Sequence, residues 1–522
     1  MVTHTQETGL PRGEAPDRGA KSLAAGQSPW LSDTAILIYI SALTVIVHFF
    51  TNSRYGFHRD ELATLDDARH LAWGYVAYPP VTPFFGRVSL TIFGTSLAGF
   101  RFFAAVAQAV ALLCTGLMAK ELGGGRGAQL LAVAAGLPFC LGGGAVMQYV
   151  SFDYMAWVLT AYLVIRLLKS EDPRWWLAVG ISVGFGMMSK YSMGFLIAGI
   201  LLGLFLTDAR RYFASKWLWY GVALALLIFL PNLVWLARHH FITLDFLTHI
   251  HARDIRWGRT KNFLPDQLKI TMCGFPIAVA GLYFYLRSSA GRRYRLLGWM
   301  FLVPFIVFVI AKGRGYYMGA GYPMLYAAGS VHLETWLASS KKTWRTSLRA
   351  AIWTALLVDL AMASVVTLRV FPVGTAAWKW ANKINDDLQE EVGWTELVTT
   401  VAQIRDSLPP EDRSNLAILA GNYGEAGAMT LYGEQYNLPR TISGINSFWA
   451  RGYGDPPPET LIAVGIPRHF LDENFTSCQL VAHVWNRYGI ENEETRDHPD
   501  LYVCRGLKKS WPVFWRDFQY YG

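Results

Sequence analysis

The sequence predicts a polytopic α-helical membrane protein with about eleven transmembrane helices, followed by a C-terminal external α/β domain. Three observations carry that prediction. Of 522 residues, 52% are hydrophobic and only 16% charged, against roughly 25% charged in soluble domains, and the mean hydropathy is +0.24. Apolar runs of spanning length recur from residue 34 to residue 370. Beyond 370 the runs shorten, and the charge reverses: 34 Lys+Arg against 18 Asp+Glu before that point become 13 against 20 after it. Disordered chains, collagens and small disulfide scaffolds are excluded. No Arg/Lys stripe with interleaved aromatics suggests a nucleic-acid partner. The basic excess fits cytoplasmic loops, and 20 Trp and 25 Tyr supply belts at the lipid interface.

Residues 1–30 are polar and rich in Gly and Pro, and are expected to be a disordered cytoplasmic N-terminus. Residues 31–370 form the membrane domain. A bilayer core of about 30 Å needs about 20 apolar residues per helix. The first run, 34–50, lacks a small-residue cleavage site and is read as a retained helix rather than a signal peptide. Later runs cover 98–119, 128–146, 152–168, 175–189, 191–207, 217–236, 267–286, 296–311, 316–337 and 349–370. Arg126, Lys169, Arg174, Arg210, Arg211, Lys216, Arg287, Arg292, Arg293, Arg295, Lys341, Lys342, Arg345 and Arg349 fall in alternate loops, which are expected in the cytoplasm. The odd span count then puts 371–522 outside, with two external loops at 51–97 and 237–266. Within the first loop, Val81 to Phe93 reads as an interfacial helix.

In 371–522, LAILAG (416–421), TLIAVG (460–465), CQLVAHVW (478–485) and LYVCRGL (501–507) read as buried strands. Segments near 394–407, 423–434 and 511–520 read as helices. Cys114, Cys140 and Cys273 lie in apolar runs and read as buried thiols. Cys478 and Cys504 lie in two strands of a domain expected in an oxidising space, where a disulfide between them is expected.

Several charged residues stand where charge is costly. Asp60 and Glu61 are adjacent acids just beyond the first span, and acids are also ordinary at helix starts. Asp153 stands in YVSFDYMAW at the outer start of a span, where an acid needs a polar cavity or a capping role. Lys190, in MSKYS, interrupts an apolar pair; snorkelling to the interface is the alternative to a role. Cations outside the membrane are Arg253, Arg256, Arg259 and Lys261 in HARDIRWGRTK, with Lys312 and Arg314 in AKGRGYYMGAGYP. His239, His240, His249 and His251 crowd the second external loop, but their spacing matches no zinc motif. GGGRG (123–127) lacks the Lys-Ser/Thr of a phosphate loop, and no nucleophile elbow is present.

The segment FHRDELATLDDARHLAWGYVAYPP (57–80), an acidic pair followed by a Tyr-Pro-Pro step, resembles the GT-C superfamily of glycosyltransferases, specifically family 39. That family includes protein O-mannosyltransferases, with relatives that modify lipid A. RHLAWGYVAYPPVTPFFGRVSLTIFG, LLKSEDPRWWLAVGISVGFGMMSKYS, FLPNLVWLARH and GYYMGAGYPML extend the resemblance over nearly all of 34–337. GNYGEAGAM and SGINSFW resemble the tails of bacterial members. The resemblance implies an inverting transfer of a sugar from a polyprenyl-phosphate donor to a hydroxyl of a glycan, lipid or protein acceptor. It implies Asp60 as general base, Glu61 as its paired acid and Asp153 as a second carboxylate. For the leaving phosphate it implies the position of Tyr78, where relatives carry Lys or His, and Tyr317 before the Tyr-x-Pro step. Lys312, Arg256 and Arg259 are the candidates for the charge that Tyr78 lacks.

The implied location is the plasma membrane, multi-pass, in the inner membrane of a bacterium, with the C-terminal domain periplasmic. No metal ligands are assigned and no cofactor is named; a divalent metal stays open. A transporter or lipid flippase is the competing reading. It would call for internal repeats, and none are visible.

Overall fold

The computed structural model describes residues 29–339 and 341–522. The expectation for 1–30 therefore falls outside the described residues, except that Pro29–Leu31 forms a 3-10 turn. The helices of the membrane domain are α1 (Asp33–Thr51), α2 (Arg59–Arg69), α3 (Val81–Phe93), α4 (Leu97–Glu121), α5 (Arg126–Gly143), α6 (Tyr149–Ser170), α7 (Trp175–Met187), α8 (Met193–Leu206), α9 (Lys216–Arg238), α10 (Ile242–Arg256), α11 (Phe263–Thr271), α12 (Phe275–Arg287), α13 (Arg295–Ile310), α14 (Tyr322–Ser339) and α15 (Lys342–Thr367).

Each apolar run foreseen as a span falls mainly on helix, but 267–286 is broken at the 3-10 turn Met272–Gly274 and 316–337 opens in the 3-10 turn Gly315–Gly321. Among the described residues, seven helices are long and apolar enough to cross a membrane, and eight if α8 counts with the 3-10 turn Asp208–Ala214, which bends from it by 103°. The remainder are shorter or less apolar, and α14 is buried along most of its length. That burial follows from close crossing: a Cβ on Gly281 of α12 would lie 2.0 Å from the Leu325 carbonyl oxygen of α14.

Helix starts follow local chemistry. Ser32 and Ser96 cap α1 and α4 by accepting from the Ala35 and Gly99 N–H groups, satisfying otherwise orphaned donors. The basic loops gather at one end. Arg126 pairs with Asp33, Arg166 and Lys169 with Glu121, and Arg293 and Arg211 with Glu171. Cys273 departs from expectation, since its side chain is exposed: its N–H donates to Asp359 at a break between helices rather than within a packed run.

The opposite end carries the rest of the chain: α16 (Ala376–Ile384), α17 (Trp394–Ser407), α18 (Pro410–Ser414), β1 (Leu416–Ala420), α19 (Tyr423–Tyr432), β2 (Thr441–Ile442), α20 (Asn446–Ala450), β3 (Thr460–Val464), α21 (Arg468–Asn474), β4 (Phe475–His483), α22 (Glu493–Arg496), β5 (Asp500–Leu507) and α23 (Trp511–Asp517). The sheet order is β2-β1-β3-β5-β4. β1 runs parallel to β2 and β3, whereas β5 is antiparallel to β3 and β4. β1 and β3 are wholly buried, as their apolar sequences predict. β4 corrects the expectation of a buried strand: it is the sheet edge and mostly exposed. Cys478 and Cys504 are disulfide-bonded across β4 and β5.

This unit sits directly on α2. A Cβ on Gly427 of α19 would lie 2.6 Å from the Leu62 carbonyl. Phe57, Leu62 and Leu65 share a core with Trp394, Leu397, Ala428 and Met429.

Candidate functional site

A cavity of about 1620 Å³ lies where the two parts meet. Its walls come from the start of α2, the 148–150 and 190–195 segments, α10 and the loop after it, and the 311–317 turn. The other side comes from Asp386–Glu391, the start of α19, and the 493–498 segment.

Asp60 lies at the start of α2. His58 caps that helix: its Nδ1 accepts from the Asp60 N–H at 3.2 Å, and Glu61 Oε2 accepts from the His58 N–H at 2.9 Å. This capping box fixes two consecutive acids in different environments. Asp60 lines the cavity, and its Oδ2 accepts from Gln148 Nε2 at 2.9 Å. Tyr423 of α19 lies beside it, and Arg59 stacks on that ring at 5.1 Å.

Glu61 points the other way and does not line the cavity. It is fully buried, accepts from Arg101 Nε and Nη2 at 2.9 and 2.7 Å, and accepts from the Met147 N–H at 2.8 Å. Burial pushes its carboxyl up, but Arg101 and these hydrogen bonds prevail and hold it below the usual range. Arg101 carried no sequence signal beyond one cation inside the apolar α4. A buried arginine demands a carboxylate partner, and that demand was the clue available.

Of the other residues singled out from sequence, Tyr78, Tyr317, Lys312, Arg256 and Arg259 all line the cavity. The Tyr78 hydroxyl is committed to Asp67 Oδ2 at 2.6 Å. Arg253, Arg259 and Arg314 converge on one carboxylate, Asp254, which is buried. With Lys312 and Arg256 nearby, that wall is strongly positive. Burial and the neighbouring Arg314 and Arg253 lower the proton affinity of Arg259 accordingly. Arg253 and Arg259 stack on Trp257 at 5.0 and 4.6 Å.

Lys190 also lines the cavity. Its ammonium lies 4.5, 5.2 and 5.6 Å from the ring centroids of Tyr317, Tyr149 and Tyr316, an aromatic cage that holds a cation in place. Asp153 lies behind the cavity wall, buried, accepting from the Ser192 hydroxyl at 2.8 Å. It faces Lys190 electrostatically.

The wall from the C-terminal unit is acidic. Arg59 pairs with Glu493 and lies 3.8 Å from Glu390. Burial, reinforced by Glu494, pushes Glu390 up to about 7 and Glu425 up to about 8. Burial raises Glu494 as well. Among the described residues, no group of three or more His, Cys, Asp or Glu side chains converges to hold a metal ion. His239 stacks on Trp235, and His249 meets Tyr521 edge-on.

Comparison with known proteins matches this architecture. The sequence model of the family described as dolichyl-phosphate-mannose-protein mannosyltransferase matches residues 77–235. The lipopolysaccharide core galacturonosyltransferase RgtB of Rhizobium johnstonii is 31% identical over 202 residues, covering 37% of this chain and 39% of that protein. The lipid A galacturonosyltransferase RgtD of the same organism is 24% identical over 317 residues, covering 55% and 63%. The chain thus spans less than two thirds of either relative. ArnT from Cupriavidus metallidurans superposes in its apo state with a TM-score of 0.57 at 15% identity, covering 90% of this chain and 97% of that one. Bound to undecaprenyl phosphate it gives 0.55 at 14%, covering 91% and 98%. At such identities the likeness is one of fold. With a polytopic helical domain and a cavity under a small sheet-containing unit, the chain has the fold of ArnT, and its sequence is similar to membrane glycosyltransferases over part of its length.

Proposed function

We propose that this protein is an inverting glycosyltransferase that moves a sugar from a polyprenyl phosphate to an acceptor hydroxyl at the outer face of a bacterial plasma membrane. The observation that carries this reading is the placement of the Asp60 carboxylate in the same cavity as a cluster of cations. A carboxylate within reach of an acceptor hydroxyl is a general base, and fixed cations stabilise a departing phosphate. ArnT was solved with undecaprenyl phosphate, which supports a lipid phosphate as the donor. RgtB and RgtD are named for lipopolysaccharide core and lipid A, which supports a glycan or lipid of the cell envelope as acceptor over a protein.

In this mechanism Asp60 takes the proton from the acceptor hydroxyl as its oxygen forms the bond to the anomeric carbon. The bond from that carbon to the phosphate oxygen breaks on the opposite face, and the polyprenyl phosphate leaves with the electron pair. Lys190, Arg256, Arg259 and Lys312 receive the phosphate. Tyr317, with Tyr149 and Tyr316, holds Lys190 for that purpose, and Asp153 balances its charge from behind. Tyr78 serves the wall rather than the phosphate, because its hydroxyl is bound to Asp67. Glu61 orients the loop that carries Asp60. The basic loops at the far end face the cytoplasm, and residues 371–522 face the periplasm.

The test is mass spectrometry of envelope glycolipids from a deletion strain. One lipid or glycan species should lose a single sugar residue, restored by the wild-type chain and not by Asp60→Asn. An unchanged envelope profile in the deletion strain would remove the reading.

A further inference from the structure

We infer that Glu391, with Arg369, is a positioning residue for Asp60, acting through a buried network of four charges that joins the C-terminal unit to the loop bearing the base. The inference rests on the reading of Asp60 as the base for its kinetic arm, and on geometry alone for the rest.

The network spans four elements that are distant in sequence. Arg101 comes from α4, Glu61 from α2, Arg369 from the segment after α15, and Glu391 from the 3-10 turn Asp386–Glu391. All four side chains are at most 2% exposed. Arg369 grips Glu391 through Nε and Nη2. Glu391 Oε2 lies 3.5 Å from Arg101 Nη2, the nitrogen that also donates to Glu61 Oε2 at 2.7 Å. Arg101 thus stands between two carboxylates and Glu391 between two guanidiniums. The alternating row is neutral, as burial requires.

The same turn straps the loop directly. Arg101 Nη2 also donates to the Gly56 carbonyl at 3.0 Å. A Cβ on Gly56 would lie 2.3 Å from the Glu391 carbonyl oxygen, so the two backbones touch. Asp387 lies 3.9 Å from His58 Nε2, and Glu390 lies 3.8 Å from Arg59. Residues 56, 58 and 59 are therefore each met by 387–391, and residue 61 through Arg101. Asp60 lines the cavity beside His58 and Arg59, and its carboxylate accepts from Gln148 on the facing wall. Its direction is set by neighbours that are all tied down, three of them by the strap.

Removing one charge unbalances the row. In Glu391→Gln, Arg369 loses its buried carboxylate partner and Arg101 is left with Glu61 alone. In Arg369→Gln, Glu391 draws on Arg101 alone and competes with Glu61 for it. Either change shifts the Glu61 anchor and with it Asp60. The double variant Glu391→Gln/Arg369→Gln removes a whole pair and leaves Arg101–Glu61 intact.

The experiment uses full-length protein in nanodiscs. Hydrogen exchange by mass spectrometry over peptides spanning 56–69 is read beside steady-state transfer from an undecaprenyl-phosphate-linked sugar. Each single variant should exchange about tenfold faster over 56–69 and lose about 10–100-fold in kcat at unchanged KM, the signature of a misplaced reacting group. The double variant should recover to within about threefold of wild type, an interaction that independent sites do not show. Single variants that match wild type in both readouts overturn the inference, as does a double variant whose losses multiply. If a single variant does not purify, the double variant decides: a tenfold loss in it overturns the proposal. If exchange behaves as expected but no variant, wild type included, transfers sugar, the strap stands and the reading of the reaction falls.

Discussion

Replacing Asp60 with Asn isolates the chemical role of one carboxylate. The Asp60 side chain accepts from Gln148 Nε2 at 2.9 Å, and the amide oxygen of Asn accepts the same bond. The helix start is held by His58 and Glu61 rather than by the Asp60 side chain, so the fold should not change. What is lost, under the proposed mechanism, is the proton acceptor. Loss of a general base costs about 10²–10⁴-fold in rate, or roughly 2.7–5.4 kcal/mol of transition-state stabilisation at about 1.36 kcal/mol per decade. The measurement is single-turnover transfer from a synthetic undecaprenyl-phosphate-linked sugar by purified protein, with donor affinity measured separately. The expected result is the full rate loss with donor affinity within about threefold of wild type, since uniform binding is untouched. Turnover near that of wild type would refute the assignment and make Asp153 the leading carboxylate, despite its place behind the wall.

Arg101→Met strands the fully buried Glu61 and should destabilise the protein by about 3–5 kcal/mol, read as a fall in thermal midpoint that adding Glu61→Gln partly reverses. Lys190→Gln removes the charge and leaves a polar, slightly shorter side chain. It should weaken donor affinity by about 10–100-fold, the worth of a charge-assisted hydrogen bond of roughly 1.5–3 kcal/mol, seen by titrating undecaprenyl phosphate. Glu425, raised to about 8 in the fold, holds a proton that the unfolded chain releases near its ordinary 4.5. Stability should therefore be greatest at low pH and fall by about 2 kcal/mol between pH 5.5 and 7.5; a Glu425→Gln variant should flatten that slope. Reducing the Cys478–Cys504 bridge, which closes a separation of 26 residues, should cost about 3–4 kcal/mol in chemical denaturation of the protein.

Much of the membrane architecture was legible because it depends on a one-dimensional quantity. A span needs enough consecutive apolar residues, and α1, α4, α6, α9 and α15 announce themselves by that alone. The α/β character of 416–507 was legible for a similar reason, since fully buried strands such as β1 and β3 read as continuous apolar runs. The Cys478–Cys504 pairing followed from two cysteines in adjacent runs of one region. Where a rule depends on neighbours, the sequence reading weakened. β4 looks as apolar as β1 over Leu480 and Val481, but only the strand order makes it an edge. Cys273 lies in an apolar run, yet a helix break exposes it.

At the site, residue types were legible and their directions were not. The sequence by itself determined a membrane-embedded helical protein with a distinct acidic C-terminal unit, and it marked Asp60, Glu61, Asp153, Lys190 and the external cations as costly charges. Tertiary structure alone decided that two adjacent acids part company. The capping box turns Asp60 to the cavity and Glu61 to Arg101, a residue 40 positions away. It also decided that Tyr78 spends its hydroxyl on Asp67, and that Lys190 sits among three tyrosines drawn from two separate segments. The physical reason is the cost of burying charge. It requires a partner but does not say which one, because partners are chosen by packing across elements that lie far apart along the chain.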